Sequence, residues 1–273
     1  MNTATVEISA LPAFRDNYIW LLHQGRQAVV VDPGDAAPVL AHLAEHRLTL
    51  AAILLTHHHN DHCGGVAELL AQAPCGPLGV AVFGPAAESI TGVNRPLAGG
   101  ESLTAEALGL AGALPPLVVW PVSGHTRGHL AYHLPAQWLG REALFCGDTL
   151  FGAGCGRLFE GTPAQMQAAL SRIAGLPDDT AIYCAHEYTA MNLPFALAVE
   201  PGNAAIAARL EQVTARRAAG QATVPLRLAE EKATNPFLRW AEPAVVASAK
   251  AHGATGDDPV AVFAALREWR NSF

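Results

Sequence analysis

Two periods of hydrophobic residues alternate along the first two-thirds of the chain. Residues 18–22 and 28–31 are short apolar runs rich in aromatic and β-branched side chains, with Gly25 between them, and they predict two strands joined by a turn. Asp32-Pro33-Gly34-Asp35 then breaks the pattern. From 38 to 46, Val39, Leu40 and Leu43 fall at helical spacing. Residues 51–55 predict a short buried strand, 65–72 a helix and 80–83 another strand. The stretch 84–116 is rich in Gly, Ala and Pro and shows no period that assigns it. Further strands are predicted at 117–120, 130–134, 143–146 and 181–185. Thr162-Pro163 opens a helix to about residue 174, with proline at its first position. Beyond Glu187 the strand pattern stops, and 193–199, 204–219, 244–251 and 259–269 all read as helices. The change of period predicts two domains, an α/β domain over 1–187 and a helical one over 188–273.

Composition narrows the classes of function. At 51% hydrophobic and 15% charged residues the chain can bury a core, which excludes intrinsic disorder. Its net charge is -7, and only Lys232 and Lys250 are lysines. Such a chain is poorly suited to coating nucleic acid or an anionic membrane, so an anionic partner needs a local cluster of arginines. No apolar run reaches the ~18 residues that span a bilayer, and residues 1–7 lack the basic start of a signal peptide. The five cysteines form no CxxC pair and read as reduced thiols, which predicts a cytoplasmic protein.

The 12 histidines are clustered, and this changes the picture. Thr56-His57-His58-His59-Asn60-Asp61-His62 follows the predicted strand 51–55 directly. Strand ends of α/β layers are where sites are built. His57 and His59 are two apart, so in an extended segment their rings point the same way, while Asp61 and His62 can face a second point. Imidazole and carboxylate together suit zinc, iron or manganese. Other predicted strands end in the same way: Gly124-His125-Thr126-Arg127-Gly128-His129, Gly147-Asp148-Thr149 and Ala185-His186-Glu187. Each alone is a weak signal, but the set of four strand ends points to a metal site. Beyond it, Arg267 and Arg270 are three apart on the last helix and share a face, a spacing that suits equally a fork for a carboxylate and a solvated helix end.

These motifs, together with Gly154-Cys155-Gly156-Arg157-Leu158-Phe159-Glu160-Gly161-Thr162 and Ala185-His186-Glu187-Tyr188-Thr189, resemble those of the metallo-β-lactamase superfamily. Within it the chain is similar to the glyoxalase II (hydroxyacylglutathione hydrolase) family, from Pro12-Ala13-Phe14-Arg15-Asp16-Asn17-Tyr18 to the last residues. The resemblance implies a four-layer αββα sandwich with a C-terminal α-helical domain. It implies two divalent metal ions, zinc before iron or manganese: one on His57, His59 and His125, the second on Asp61, His62 and His186, with Asp148 bridging both. Asp61 and Asp148 would orient the attacking water. Arg157, Tyr188, Arg267 and Arg270 would contact glutathione. The implied reaction is hydrolysis of S-2-hydroxyacylglutathione, chiefly S-D-lactoylglutathione, to D-lactate and glutathione, the second step of methylglyoxal detoxification. The partner is then this small thioester, with no nucleic acid and no membrane, and the protein is expected to be a monomer. A persulfide dioxygenase, a nuclease of the same superfamily and a metal-storage module are the competing readings. The first would use a single iron, and the complete second ligand set argues against it.

Overall fold

The computed structural model describes residues 6–76, 79–112 and 114–273. These residues divide into two compact units, one of those up to 121 together with 127–147, the other of 122–126 together with 148–273.

The first unit begins with β1 (Val6–Ala13), β2 (Asn17–Gln24) and β3 (Gln27–Val31), an antiparallel series in which Gly25 makes the turn at φ +59°. The pattern of residues 18–31 anticipates β2 and β3. It misses β1, whose exposed and half-buried positions and Pro12 hide its periodicity. Asp35 caps helix α1 (Ala36–His46) by accepting from Ala37 N, and Val39 and Leu43 face the core. The chain then runs through β4 (Thr49–Leu54), the one-turn helix α2 (Asn60–Cys63), α3 (Val66–Gln72), β5 (Ala81–Pro85) and β6 (Arg95–Leu97). Strands β3, β4, β5 and β6 are parallel neighbours, and Val31 of β3 stands opposite Leu54 of β4. Segments that leave the carboxyl ends of β3 and β4 therefore emerge side by side. The unassigned stretch 84–116 contains β6, β7 (Ser102–Leu103) and a short 3-10 turn at Glu106–Leu108. Elements of two or three residues are too short to show a period. Strands β7, β8 (Leu117–Pro121), β9 (Leu130–Leu134) and β10 (Ala143–Gly147) pair antiparallel in that order. Tyr132 of β9 donates to Leu55 O at 2.7 Å, and Leu130 N to Thr56 O at 2.9 Å, so β9 is bonded to the segment that leaves β4.

The second unit holds the hairpin of β11 (Leu150–Phe151) and β12 (Gly154–Cys155), and α4 (Pro163–Ala174). In α4 Thr162 and Gln165 form a capping box and Pro163 stands in the first turn. It continues with β13 (Ala181–Cys184), α5 (Thr189–Val199), α6 (Ala204–Ala218), β14 (Leu226–Arg227), α7 (Leu228–Thr234), α8 (Pro243–Ala251) and α9 (Pro259–Ser272). The region beyond residue 187 is thus not purely helical, since β14 pairs with β13. Helix α5 starts four residues before the predicted 193, and Pro194 lies inside it.

Side chains from three helices and the Asn235 turn hold the β11–β12 hairpin. Asn192 of α5 donates to Gly152 O at 3.0 Å, and Glu231 of α7 accepts from Ala153 N at 2.9 Å. Asn235 donates to Phe151 O at 3.1 Å and to Gly154 O at 3.0 Å, and Arg267 of α9 donates to Cys155 O at 3.0 Å. Glu231 is fully buried, and its charge is balanced by an ion pair with Arg209 of α6, which is 3% exposed. Removing Glu231 would leave the buried Arg209 with only the half-exposed Glu230, 3.1 Å away, as its ion partner. Glu231→Ala is therefore expected to cost about 3–5 kcal/mol of stability, read as a lower urea midpoint at unchanged slope. A loss below about 1 kcal/mol would show that the pair does not hold the hairpin.

Candidate active site

In the first unit the residues of the histidine run gather at the carboxyl end of β4. His57 Nε2 lies 3.0 Å from His59 Nδ1. The turn of α2 then carries Asp61 and His62, with His62 Nε2 3.6 Å from Asp61 Oδ2. Ring nitrogens of His57 and His62 lie within 4.8 Å of each other. A helical turn, rather than an extended strand, lets adjacent residues 61 and 62 converge. His58 points elsewhere, its Nδ1 2.9 Å from Glu88 Oε2.

Several of these donors are oriented by partners the sequence reading passed over. Asp32 is 4% exposed and stands just past β3, beside the exit from β4. It accepts from Thr56 N and Thr56 Oγ1, each at 2.7 Å, and its Oδ2 is 3.0 Å from His62 Nδ1. Thr56 Oγ1 in turn lies 3.0 Å from His57 Nδ1. Asn17 donates to Asp61 Oδ2 at 3.0 Å, and His129 stacks on His57 with ring centroids 4.6 Å apart. Outer contacts of this kind fix which imidazole nitrogen is presented inward. The signal for Asp32 was in the sequence, an acceptor at a strand end like the other four, but it read only as part of a Pro-Gly turn. Gly34 is required by close approach: a Cβ there would lie 1.9 Å from Asp61 O.

In the second unit Asp148, just past β10, divides its carboxylate between two imidazoles. Its Oδ2 is 3.3 Å from His125 Nε2 and its Oδ1 3.4 Å from His186 Nε2. His125 is fixed through Nδ1, 2.9 Å from Arg157 O, and its own carbonyl accepts from Phe159 N at 3.1 Å. Tyr188 stacks on His186 at 4.6 Å and 5°, and Phe159 meets His125 edge-on at 5.3 Å.

These groups open onto a cavity of about 310 Å³, lined by His125, Asp148, Phe151, Cys155, Arg157, Phe159, Tyr188, Met191, Asn192, Arg267 and Arg270. All four predicted substrate contacts lie in it. Arg270 donates to Asn192 Oδ1 at 3.3 Å, and Arg267 Nη2 to Asn271 Oδ1 at 3.1 Å. Burial, and then the like charges of Arg267 and Arg157, lower the Arg270 pKa, the sign of a site that gains by accepting an anion. Cys155, read from the sequence as a small loop residue, is in β12. Burial raises its pKa against the opposing effect of Arg267, so it is a thiol rather than a nucleophilic thiolate.

Comparison with known proteins adds independent findings. Residues 13–186 match the family described as metallo-β-lactamase superfamily, and residues 187–273 match the one described as hydroxyacylglutathione hydrolase C-terminus. A hydroxyacylglutathione hydrolase of Dechloromonas aromatica (strain RCB) is 57% identical, covering 98% of this chain and 100% of that protein. Among solved structures, the BLEG-1 B3 metallo-β-lactamase shares the fold at a TM-score of 0.59 and 22% identity, over 85% of this chain and 99% of its own. TTHA1623 in a di-iron-bound form matches at a TM-score of 0.50 and 27% identity, over 66% of this chain and 91% of its own.

The contact at Gly34 yields a test. Gly34→Ala is expected to displace the turn bearing Asp61 and His62 and to reduce bound metal measured by elemental analysis, with little change in far-ultraviolet circular dichroism. Full metal content in the variant would show that the close approach does not position the turn.

Proposed function

The chain belongs to the hydroxyacylglutathione hydrolases of the metallo-β-lactamase superfamily, which are α/β-sandwich enzymes with a C-terminal helical domain, and we propose that it works as a binuclear metal-dependent thioester hydrolase. The substrate is an S-2-hydroxyacylglutathione, which with water yields a 2-hydroxy acid and glutathione. S-D-lactoylglutathione, the intermediate of methylglyoxal detoxification, is the physiological member of that class in this reading. Residues 1–187 form the metal-binding domain and 188–273 the helical substrate-binding domain. In this reading the protein is a cytoplasmic monomer with reduced cysteines; among the described residues no helix is long and apolar enough to cross a membrane.

One observation carries the reading: a single cavity joins an aspartate shared by two histidines to three guanidiniums. His57, His59 and His125 would hold one ion, Asp61, His62 and His186 the other, and Asp148 both. The donor set fits such ions, because His57, His62 and His125 each use Nδ1 for an outer partner and leave Nε2 for a ligand. Zinc is the proposed metal. Iron is supported by the di-iron form of the TTHA1623 relative, and manganese by the same donor chemistry. Two such ions supply a water acidic enough to ionise near pH 7, with a pKa of about 7 instead of ~15.7, and the charge that polarises a carbonyl.

The chain's own groups do the rest. Asp61, held by Asn17, and Asp148 orient the attacking water as acceptors. Arg157, Arg267 and Arg270 take the glutathione carboxylates, and Tyr188 lies against the same moiety. The departing thiolate comes from a thiol of pKa ~8.5, so no strong general acid is needed. This accounts for a site without a nucleophilic serine or cysteine.

Two substitutions test the assignment alongside a hydrolysis assay on S-D-lactoylglutathione. Asp148→Asn is expected to lower metal content at both sites rather than one, since a neutral amide bridges two cations poorly. Full occupancy of either site would overturn the bridging role. Arg270→Ala removes a charge-assisted bond of about 1.5–3 kcal/mol, so KM is expected to rise roughly 10- to 150-fold at nearly constant kcat. A large fall in kcat at unchanged KM would instead place Arg270 at the reacting centre.

A further inference from the structure

Glu88 lies in the turn that follows β5, its N–H donating to the carbonyl of Pro85 at 3.2 Å, and its side chain is only 2% exposed. Glutamate is almost never buried so deeply unless it is paired. Here each carboxylate oxygen has a partner. Oε2 is 2.9 Å from His58 Nδ1, and Oε1 accepts from Gly128 N at 2.9 Å. A carboxylate only accepts, so His58 turns its Nδ1 proton toward it. The two partners lie far apart in the chain, His58 on the segment leaving β4 and Gly128 on the segment entering β9.

Both segments bear on the same pair of metal-ligand candidates. His58 stands between His57 and His59, and its ring meets that of His59 edge-on, with centroids 5.0 Å apart and 68° between the planes. The His58 carbonyl is held as well, accepting from Cys63 Sγ at 3.3 Å. Gly128 precedes His129, whose ring stacks on His57 at 4.6 Å and 18°. One buried carboxylate thus reaches both rings from outside, His59 through His58 and His57 through His129.

We propose that Glu88 is a positioning residue for the ion that His57 and His59 would hold: it ties the segment leaving β4 to the one entering β9 and so fixes the two rings. The inference rests on the binuclear reading and adds a residue to it. Glu88 acts through His58 and Gly128, not as a ligand of that ion. Asp61 and His62, assigned to the other ion, are held by Asn17 and Asp32. Loss of Glu88 should therefore weaken one ion and spare the other. Outer partners that bond a ligand directly are worth roughly 10- to 100-fold in metal affinity, and a group acting at one remove is expected near the lower end, about tenfold.

The test follows transfer of zinc from the loaded protein to a chromophoric chelator in the parent, Glu88→Ala, Glu88→Gln and His58→Ala, with the urea midpoint of each apoprotein measured alongside. In Glu88→Ala one of the two zinc equivalents is expected to bind about tenfold more weakly, with the other unchanged. His58→Ala cuts one of the two routes and should fall between this variant and the parent. Glu88→Gln should keep the parent affinities, because its amide oxygen accepts from Gly128 N while its NH2 donates to His58 in the other tautomer. In a His59→Ala background, which removes a ligand of the same ion, Glu88→Ala should leave the remaining equivalent unchanged. If Glu88→Ala does not fold, Glu88→Asp takes its place, shortened by one methylene so that it should reach only one partner. Affinities that do not change, even if the apoprotein loses stability, overturn the positioning role. So does a loss shared equally by both equivalents, one that persists in Glu88→Gln, or one that survives in the His59→Ala background. A parent that binds a single ion refutes the binuclear reading instead, and the affinity of that ion then decides the role of Glu88. A parent that binds none overturns both.

Discussion

Lone-pair donors held close together in a partly buried place are the constraint on which the rest of this structure depends. Past β4, three imidazoles and a carboxylate converge, with His57 and His62 fully buried. Past β10, Asp148 presents one oxygen to each of two buried histidines. Bringing such groups out of water is costly unless a cation or hydrogen bonds compensate. The chain meets this cost with outer partners, Asp32, Thr56 and Asn17 in one unit and the Arg157 carbonyl in the other. Metal affinity and local folding are therefore expressions of one balance.

The helices beyond β13 serve the site through the short hairpin after Asp148. Its backbone is bonded by Asn192, Glu231, Asn235 and Arg267, which come from separate segments of the chain. A two-residue strand pair has little stability of its own, so its geometry is borrowed from the helices that hold it. Arg267 takes part in both tasks, bonding the hairpin through Cys155 O and lining the cavity. The pocket wall and the arginines that line it are in this way set by one group of contacts.

Charge shows the same economy. An acidic chain repels anions at long range, yet Arg157, Arg267 and Arg270 meet in one cavity, where burial first and then the neighbouring guanidiniums lower the Arg270 pKa, an environment that an anion would relieve. A local cluster can recognise a carboxylate without the general attraction to polyanions that a basic surface would bring.

Much of this was legible from residue order. The alternation of periods located β2, β3, β4, β9 and β10, and Thr162-Pro163 marked the start of α4, because local hydrogen bonding and burial set these elements. The donor residues were legible because each follows a strand end. Hidden from it were β1, whose apolar period is broken, and β6, β7 and β14, which exist only through pairing with neighbours. Asp32 was hidden for a related reason: 24 residues separate it from Thr56, and only the parallel register of β3 on β4 makes them neighbours. Residue order by itself determined which side chains could ligate, bind an anion or cap a helix, since those are properties of the side chain and its immediate neighbours. Tertiary structure alone decided which of them meet, which nitrogen each histidine presents, and that Glu88 reaches both His58 and Gly128, because these depend on packing between segments far apart in the chain.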